Sequence, residues 1–403
     1  MPRIPRLLIL AQSPPPTHGQ SVMVGHLVNA ASSRFPDKVV HVNLLLSRDE
    51  QDVGTMRPAK LFALAACTLK ALAACLFKGA REIYYVPAPG KRGPVIRDVL
   101  LLSILRPFTS RLILHWHSVG LGAYLAEHPH DPWARRLHRL LLNHSLSLCL
   151  SNSSAADVAI LKPSRIAIVP NGIPDPCPDF PPILAARQSR LAARQAALAS
   201  PDAPPAPVHL LYLGLCVRSK GIFDALDSAA ALTAHLNSRH PACPVTLTVA
   251  GPFRSDTDAT EFHNAIAAAR ASLPSHIQPL FSVNLPGFTG PAEKKALLAA
   301  ADLFVFPTRY ENEGLPLTIL EALAFGLPVL STQWRGIPEA LPPDYPWLAH
   351  PDNLTHLPAL AADALAADPF LSLRSWFTKG FTLESHLAQI LALLVPPNTP
   401  ASP

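Results

Sequence analysis

The sequence predicts an α/β protein of two doubly wound domains, each a parallel sheet with helices on both faces. Three observations carry that prediction. At 403 residues the chain exceeds what one ordinary core organises and suits two domains. Short apolar runs alternate with longer helical patterns, once through in each half. The runs are nearly unbroken in apolar character, as expected of strands buried on both faces of a parallel sheet. With 49% hydrophobic and 15% charged residues, the chain can bury large cores, which excludes a disordered polymer.

The start, MPRIPRLLILA, puts basic residues before an apolar run as a signal peptide does. Its run is shorter than the roughly 7–15 residues such a segment needs, and prolines end it. RLLIL (6–10) therefore reads as the first strand, and the loop SPPPTHGQSVM (13–23) leads into a helix. Further strands are expected at 38–46, 82–88, 111–117, 146–151 and 165–170, the last closed by the turn VPNGI (169–173). The very apolar stretch 60–81, interrupted by Lys70, has two readings: a buried crossover helix, or a helix lying on a lipid surface with Lys60, Lys70, Lys78 and Arg81 snorkelling. Its unbroken apolar pieces fall short of the roughly 20 residues of a membrane span. Prolines cluster in 174–182 and 201–207 around the Ala/Arg helix of 183–199, giving a linker or a surface insertion. The second set of strands is expected at 209–214, 245–251, 302–308 and 328–332. An amphipathic helix at 381–394 and a proline-rich tail at 396–403 complete the chain. The expected domains are 1–175, a linker or insertion at 176–207, 208–380, a crossover helix at 381–395 and the loose tail.

Charge is uneven. Residues 1–175 carry 20 Lys and Arg against 10 Asp and Glu, a net of +10; the remainder carries 14 against 18, a net of −4. A basic first half fits an anionic partner, a membrane face or a charged acceptor, and equally a solvated domain surface. The pI of about 9.1 comes with no aromatic-basic motif, which speaks against nucleic acid. The six cysteines are scattered, with no CxxC pair, which fits a reducing cytosol and no metal cluster.

The densest chemistry lies in TRYENEGLPLTILEALAFGLPVLST (308–332). After a strand come a polar loop, Glu313, the tripeptide Gly314-Leu315-Pro316, a helix containing Glu321, and a new strand after Gly326. Pro316 suits a first helical turn. The free amides and positive dipole end of that helix make an anion site fit for a diphosphate. Glu313 sits before the helix and Glu321 about one turn into it, so two carboxylates flank one phosphate cradle. Glu311 reads as a loop charge.

This stretch resembles glycosyltransferase family 4 of the GT-B superfamily, whose mark is two glutamates separated by seven residues. Glu313-GLPLTIL-Glu321 has that spacing, and the flanking pattern runs on to RGIPE (335–339). The resemblance implies a GT-B fold, two Rossmann-like domains facing across a cleft that holds the reaction, with the last helix packing back on the first domain. It implies that Glu313 binds donor sugar hydroxyls, that Glu321 holds the ribose, and that the amides of Gly314 and Leu315 meet the diphosphate; Pro316 has no N–H to donate. In LLYLGLCVRSKGIFDAL (210–226) a strand ends at Gly214 and Lys220-Gly221 leads into a helix, so Lys220 can place a point charge on a phosphate. The family usually has an arginine after that glycine. Leu215 stands here, with Arg218 as the substitute.

In RLILHWHSVG, alternation puts His115 and His117 on one side of a strand and Trp116 on the other; no third ligand with metal spacing follows. The resemblance aligns His117 with a histidine facing acceptor and donor sugar. Of the family's glycine-rich first loop only Gly19 remains, with His18 and Gln20 as acceptor-side candidates. The family's activity implies a retaining, metal-independent glycosyltransferase of the hexosyltransferase kind. No cofactor is expected, the UDP- or GDP-sugar donor being a substrate. A lipid-linked or saccharide acceptor in polysaccharide or glycolipid assembly is expected, in the cytoplasm or at the inner face of the cytoplasmic membrane. Two other functions are open: a non-catalytic sugar-nucleotide-binding subunit, suggested by Leu215, and a nucleotide-sugar epimerase.

Overall fold

The computed structural model describes residues 6–15, 19–45, 58–87, 89–199, 206–239 and 243–394. The chain divides into two compact units. One holds Met1–Asn171, Glu311–Leu315 and Glu384–Pro403; the other holds Gly172–Tyr310 and Pro316–Leu383. His18 and the tail 396–403 lie outside the described residues.

In the first unit β1 (Arg6–Ala11), β2 (Val39–Asn43), β3 (Ala80–Tyr85), β4 (Arg111–Trp116), β5 (Leu146–Cys149) and β6 (Ile166–Ile168) form one parallel sheet, ordered β2-β1-β3-β4-β5-β6. Its helices are α1 (Gly19–Arg34), α2 (Pro58–Phe77), α3 (Arg92–Leu105), α4 (Leu121–Glu127), α5 (Pro132–Leu141) and α6 (Asn152–Val158). Strand alternation divides the side chains between two cores. Leu8, Leu10, Ile83, Leu114 and Trp116 share one with Leu64 and Ala71 of α2, Val95 and Leu102 of α3, and Leu137 of α5. Leu7, Ile9, Tyr84 and Ile113 share the other with Val24 and Leu27 of α1 and with Ile390 and Leu394 near the chain's end. Local chemistry starts the helices where it should: the Asp131 side chain accepts from the Trp133 amide, with Pro132 opening α5, and Ser151 and Ser154 form a capping box on α6.

The second unit repeats the plan. Strands β7 (Val208–Leu213), β8 (Val245–Ala250), β9 (Phe281–Gly287), β10 (Leu303–Phe306), β11 (Val329–Thr332) and β12 (Leu348–Ala349) form a parallel sheet ordered β12-β11-β10-β7-β8-β9. Its helices are α7 (Pro181–Ala199), α8 (Ile222–Arg239), α9 (Asp256–Ala271), α10 (Pro291–Ala300), α11 (Leu317–Ala324), α12 (Ile337–Ala340), α13 (Leu357–Ala366) and α14 (Phe370–Gly380). The final helix, α15 (Leu383–Leu394), belongs to the first unit from Glu384 onward. Its Ile390 and Leu394 lie in that unit's core, and Arg111 donates to the carbonyls of Leu393 and Leu394. The helix expected to pack back on the first domain does so.

Three features add to the sequence reading or depart from it. Strands β9 and β12 were not among the expected runs. They are the outermost strands of their sheet, and β9 alternates buried Phe281 with exposed Ser282 and Asn284, so no continuous apolar run marks it. The helix of the stretch between the proline clusters is α7, fastened to the second unit by its arginines. Arg187, 1% exposed, donates to the carbonyls of Leu298, Ala301 and Phe325, and Arg190 and Arg194 pair with Asp302 at 2.8 and 2.9 Å. Lastly, α2 is longer in apolar character than its pieces suggest: Lys60–Phe77 has a mean hydropathy of 1.8 over 18 residues, enough by length and composition to cross a membrane, with 33% of it buried. All six cysteines are free thiols.

Candidate functional site

In the second sheet the winding direction reverses between β7 and β10, and ligands of doubly wound sheets bind beyond the carboxyl ends of strands at such a point. Strand β7 runs into Gly214, whose φ of +152° lies outside ordinary side-chain territory. The loop then makes a single 3-10 turn at Arg218–Lys220 and reaches Gly221, at φ +81°. A Cβ on Gly221 would lie 2.3 Å from the Pro307 carbonyl oxygen, so glycine is what lets this loop close on the end of β10. The Arg309 amide donates to the Ser219 carbonyl, and Arg309 pairs with Asp224 at 2.8 Å, which ties the loops after β7 and β10 together. Lys220 is thereby held with its Nζ 5.0 Å from the Tyr310 ring centre and 5.6 Å from that of Phe306. Arg218, two residues earlier, does not join it. Its guanidinium lies over Phe223 and pairs with Glu261 at 2.6 Å, both partners well exposed.

Helix α11 begins at Leu317 with Pro316 at its cap, one residue later than the sequence suggests. Glu321 lies on its second turn, largely buried. One carboxylate oxygen accepts from Lys294 of α10 at 2.5 Å; the other, Oε2, is buried without a hydrogen-bond partner. Burial raises the Glu321 pKa, and the Lys294 charge opposes the rise. A carboxylate with one oxygen held by a lysine and the other without a donor keeps unused acceptor capacity.

The first unit gathers the other predicted residues. His117 follows β4, and its ring centre lies 4.1 Å from that of His115, on the same side of the strand as alternation requires. Trp116, on the opposite face, donates to Ser147 at 3.0 Å. His115 is enclosed: its Nδ1 is 2.5 Å from the Tyr84 hydroxyl, and its ring lies 6.2 Å from His386. Burial, then the neighbouring His117 and His386, pushes the His115 pKa well down, so it stays neutral. The segment 311–315 lies against the residues after β4. Asn312 donates to the Val119 carbonyl at 2.8 Å, and Asn171 donates to the Leu315 carbonyl at 3.0 Å. A Cβ on Gly314 would stand 2.4 Å from the His117 carbonyl oxygen, so this approach too needs glycine. Glu313 and Leu315 are buried at this place. Gly19 begins α1 beyond the end of β1. Among the described residues no group of three or more His, Cys, Asp or Glu could hold a metal ion.

Sequence reasoning missed Lys294, Tyr310, Tyr84 and the role of Asn171. The first is one of two adjacent lysines on an ordinary amphipathic helix, with nothing in the pattern to single it out. Asn171 was visible as turn chemistry in VPNGI, whereas its contact is with a residue 144 positions away.

Two parallel six-stranded α/β units with the paired-glutamate motif after a strand of the second define a protein of the GT-B architecture. Residues 207–367 match the family model described as glycosyl transferases group 1, which bears out the resemblance read from the motif. Among curated proteins, the chain is 40% identical over 75 residues to a provisionally named colanic acid biosynthesis glycosyltransferase, WcaL, of Escherichia coli (strain K12), covering 18% of each chain. It is 37% identical over 83 residues to the amylovoran biosynthesis glycosyltransferase AmsK of Erwinia amylovora, covering 19% of this chain and 20% of that one. The matched stretches thus span about a fifth of these relatives' length. Among solved structures, Anabaena HepE in complex with UDP superposes with a TM-score of 0.65 at 17% identity, covering 96% of this chain and 99% of that one, a likeness of fold.

Proposed function

We propose that this chain is a retaining glycosyltransferase that moves a sugar, a hexose, from a nucleotide-sugar donor to an acceptor hydroxyl in polysaccharide or glycolipid assembly. The observation that carries the reading is Glu321: a buried carboxylate on α11 with one oxygen on Lys294 and the other without a partner, eight residues after Glu313 in the family's motif. Lys220 at the switch of the second sheet supports it, as does the family match over 207–367. The bound UDP of the HepE structure favours a uridine nucleotide over a guanosine one.

In this mechanism Glu321 accepts from the ribose hydroxyls. Lys220 and the first amides of α11 take up the negative charge that grows on the leaving diphosphate, where fixed charges lower the barrier most. Lys220 supplies the side-chain charge from the loop after β7 at the switch of the second sheet, while Arg218 pairs with Glu261. Gly214 gives the backbone room to approach the donor, and the amides of Gly314 and Leu315 add to the phosphate contacts. Gly19 has the same role at the start of α1. Glu313 and His117 hold the sugar's hydroxyls. The bond from the anomeric carbon to the phosphate oxygen breaks, and the acceptor oxygen bonds to that carbon on the same face. The acceptor's proton passes to the departing phosphate.

Thermal-shift measurements across UDP-, GDP- and ADP-sugars, followed by transfer from a labelled UDP-sugar, test the proposal. Stabilisation by one nucleotide class and transfer strongly lowered in Glu313→Gln and Lys220→Ala are expected. Near-normal transfer by both folded variants overturns the assigned roles. Leu215, standing where the family has an arginine, favours one rival, a binding subunit, which predicts donor binding with neither transfer nor donor hydrolysis.

A further inference from the structure

Helix α2 presents two apolar faces. The inner one, with Leu64, Cys67, Ala71, Ala74 and Cys75, is buried in the first unit's core. On the outer one Phe62 is 78% exposed, Leu69 66%, Leu76 52% and Phe77 84%. At 100° per residue these four, with Ala65, Ala66 and Ala73 between them, fall within an arc of about 120°, one unbroken stripe along the helix. On the neighbouring α3, Leu100 and Ile104, one turn apart, are exposed as well. Among the described residues the second unit exposes only Phe288 and Leu371 of its large hydrophobics, so the patch is a local construction.

Its surroundings are basic. From residue 58 to 97 the sequence holds seven lysines and arginines and one acid. That acid, Glu82, is buried against Arg111 at 3.1 Å and offers no surface charge. Lys70, at the edge of the stripe, and Lys78 and Arg81, beyond its end, are exposed.

We propose that this face of the first unit seats on an anionic lipid bilayer. The helix lies in the plane of the interface, with Phe62, Leu69, Leu76 and Phe77 below the headgroups and Lys70, Lys78 and Arg81 among the lipid phosphates. A spanning arrangement is ruled out by the inner face, which the sheet needs for its own core. A second copy of the chain is a poorer occupant, because a twofold contact would set the same basic residues against one another. The inference goes beyond sugar transfer and does not rest on it.

The test sediments the full-length protein with vesicles of phosphatidylcholine alone and of phosphatidylcholine mixed equally with phosphatidylglycerol. Binding is expected to the mixed vesicles only, falling about tenfold or more as salt is raised. Phe62→Ser with Phe77→Ser is expected to lower that binding by about tenfold or more, with melting temperature unchanged, since both side chains are exposed. Lys70→Glu with Lys78→Glu leaves the apolar stripe whole, is expected to weaken binding and flatten its salt dependence, and decides the matter if the phenylalanine variant misfolds. No binding to either vesicle, or equal binding to both, overturns the proposal. So does lipid-free dimerisation in the ultracentrifuge that the phenylalanine variant abolishes.

Discussion

The first unit encloses three histidines kept neutral, beside the ion pairs of Glu82 with Arg111 and Asp98 with Arg97, whereas among the described residues the second unit buries no histidine and encloses ions instead. In the first unit His115, His144 and His386 are enclosed, and burial pushes the pKa of the last two down to about 4. The partners suit a neutral ring: the Leu141 carbonyl and the Ser147 hydroxyl for His144, and the Pro170 carbonyl for His386. In the second unit Arg187 donates to three carbonyls, Asp302 pairs with Arg190 and Arg194, and Glu321 pairs with Lys294. The same sheet-and-helix plan therefore carries two electrostatic designs. In the first unit the basic residues around α2, Lys70, Lys78 and Arg81, lie at the surface. Buried ion pairs in the second unit place cations and carboxylates at fixed positions, which the proposed handling of an anionic diphosphate requires.

The largest effects belong to chemistry: Lys220→Ala should lower sugar transfer by about 10²–10³-fold, and Glu313→Gln comparably, with melting nearly unchanged. Steady-state transfer and calorimetry on the same samples check both. Next comes Arg187→Met. It leaves three buried carbonyls without their donor and should cost the second unit about 3–5 kcal/mol, read as a lowered transition for that unit alone.

Acid should separate the units in the opposite direction. For His144 and His386 the folded pKa, about 4, lies below the ordinary value of 6.5, so between those values the unfolded chain binds more protons. The stability they add is complete above pH 6.5 and is lost as pH falls towards 4, on the order of 3 kcal/mol for each ring. Calorimetry from pH 7 to 5 should show the first unit's transition falling faster than the second's, and His386→Asn should reduce that pH dependence. The smallest effect is expected at the exposed Arg218–Glu261 pair, where Glu261→Ala should change stability by less than about 1 kcal/mol and leave transfer intact.

The doubly wound class, ten of the twelve described strands, the last helix and the paired-glutamate motif were legible in the sequence, because each depends on local periodicity or on a spacing within one segment. Strands β9 and β12 escaped because an edge strand is buried on one side only or is too short to show a run. Which residues complete each candidate was decided in three dimensions. Lys294 lies 27 residues from Glu321, Tyr84 lies 31 from His115, and Asn171 lies 144 from Leu315, so no local pattern could pair them. Likewise an apolar helix reads the same in sequence whether both faces are covered or one. Only the packing of α2 against its sheet shows that Phe62, Leu69, Leu76 and Phe77 were left outside.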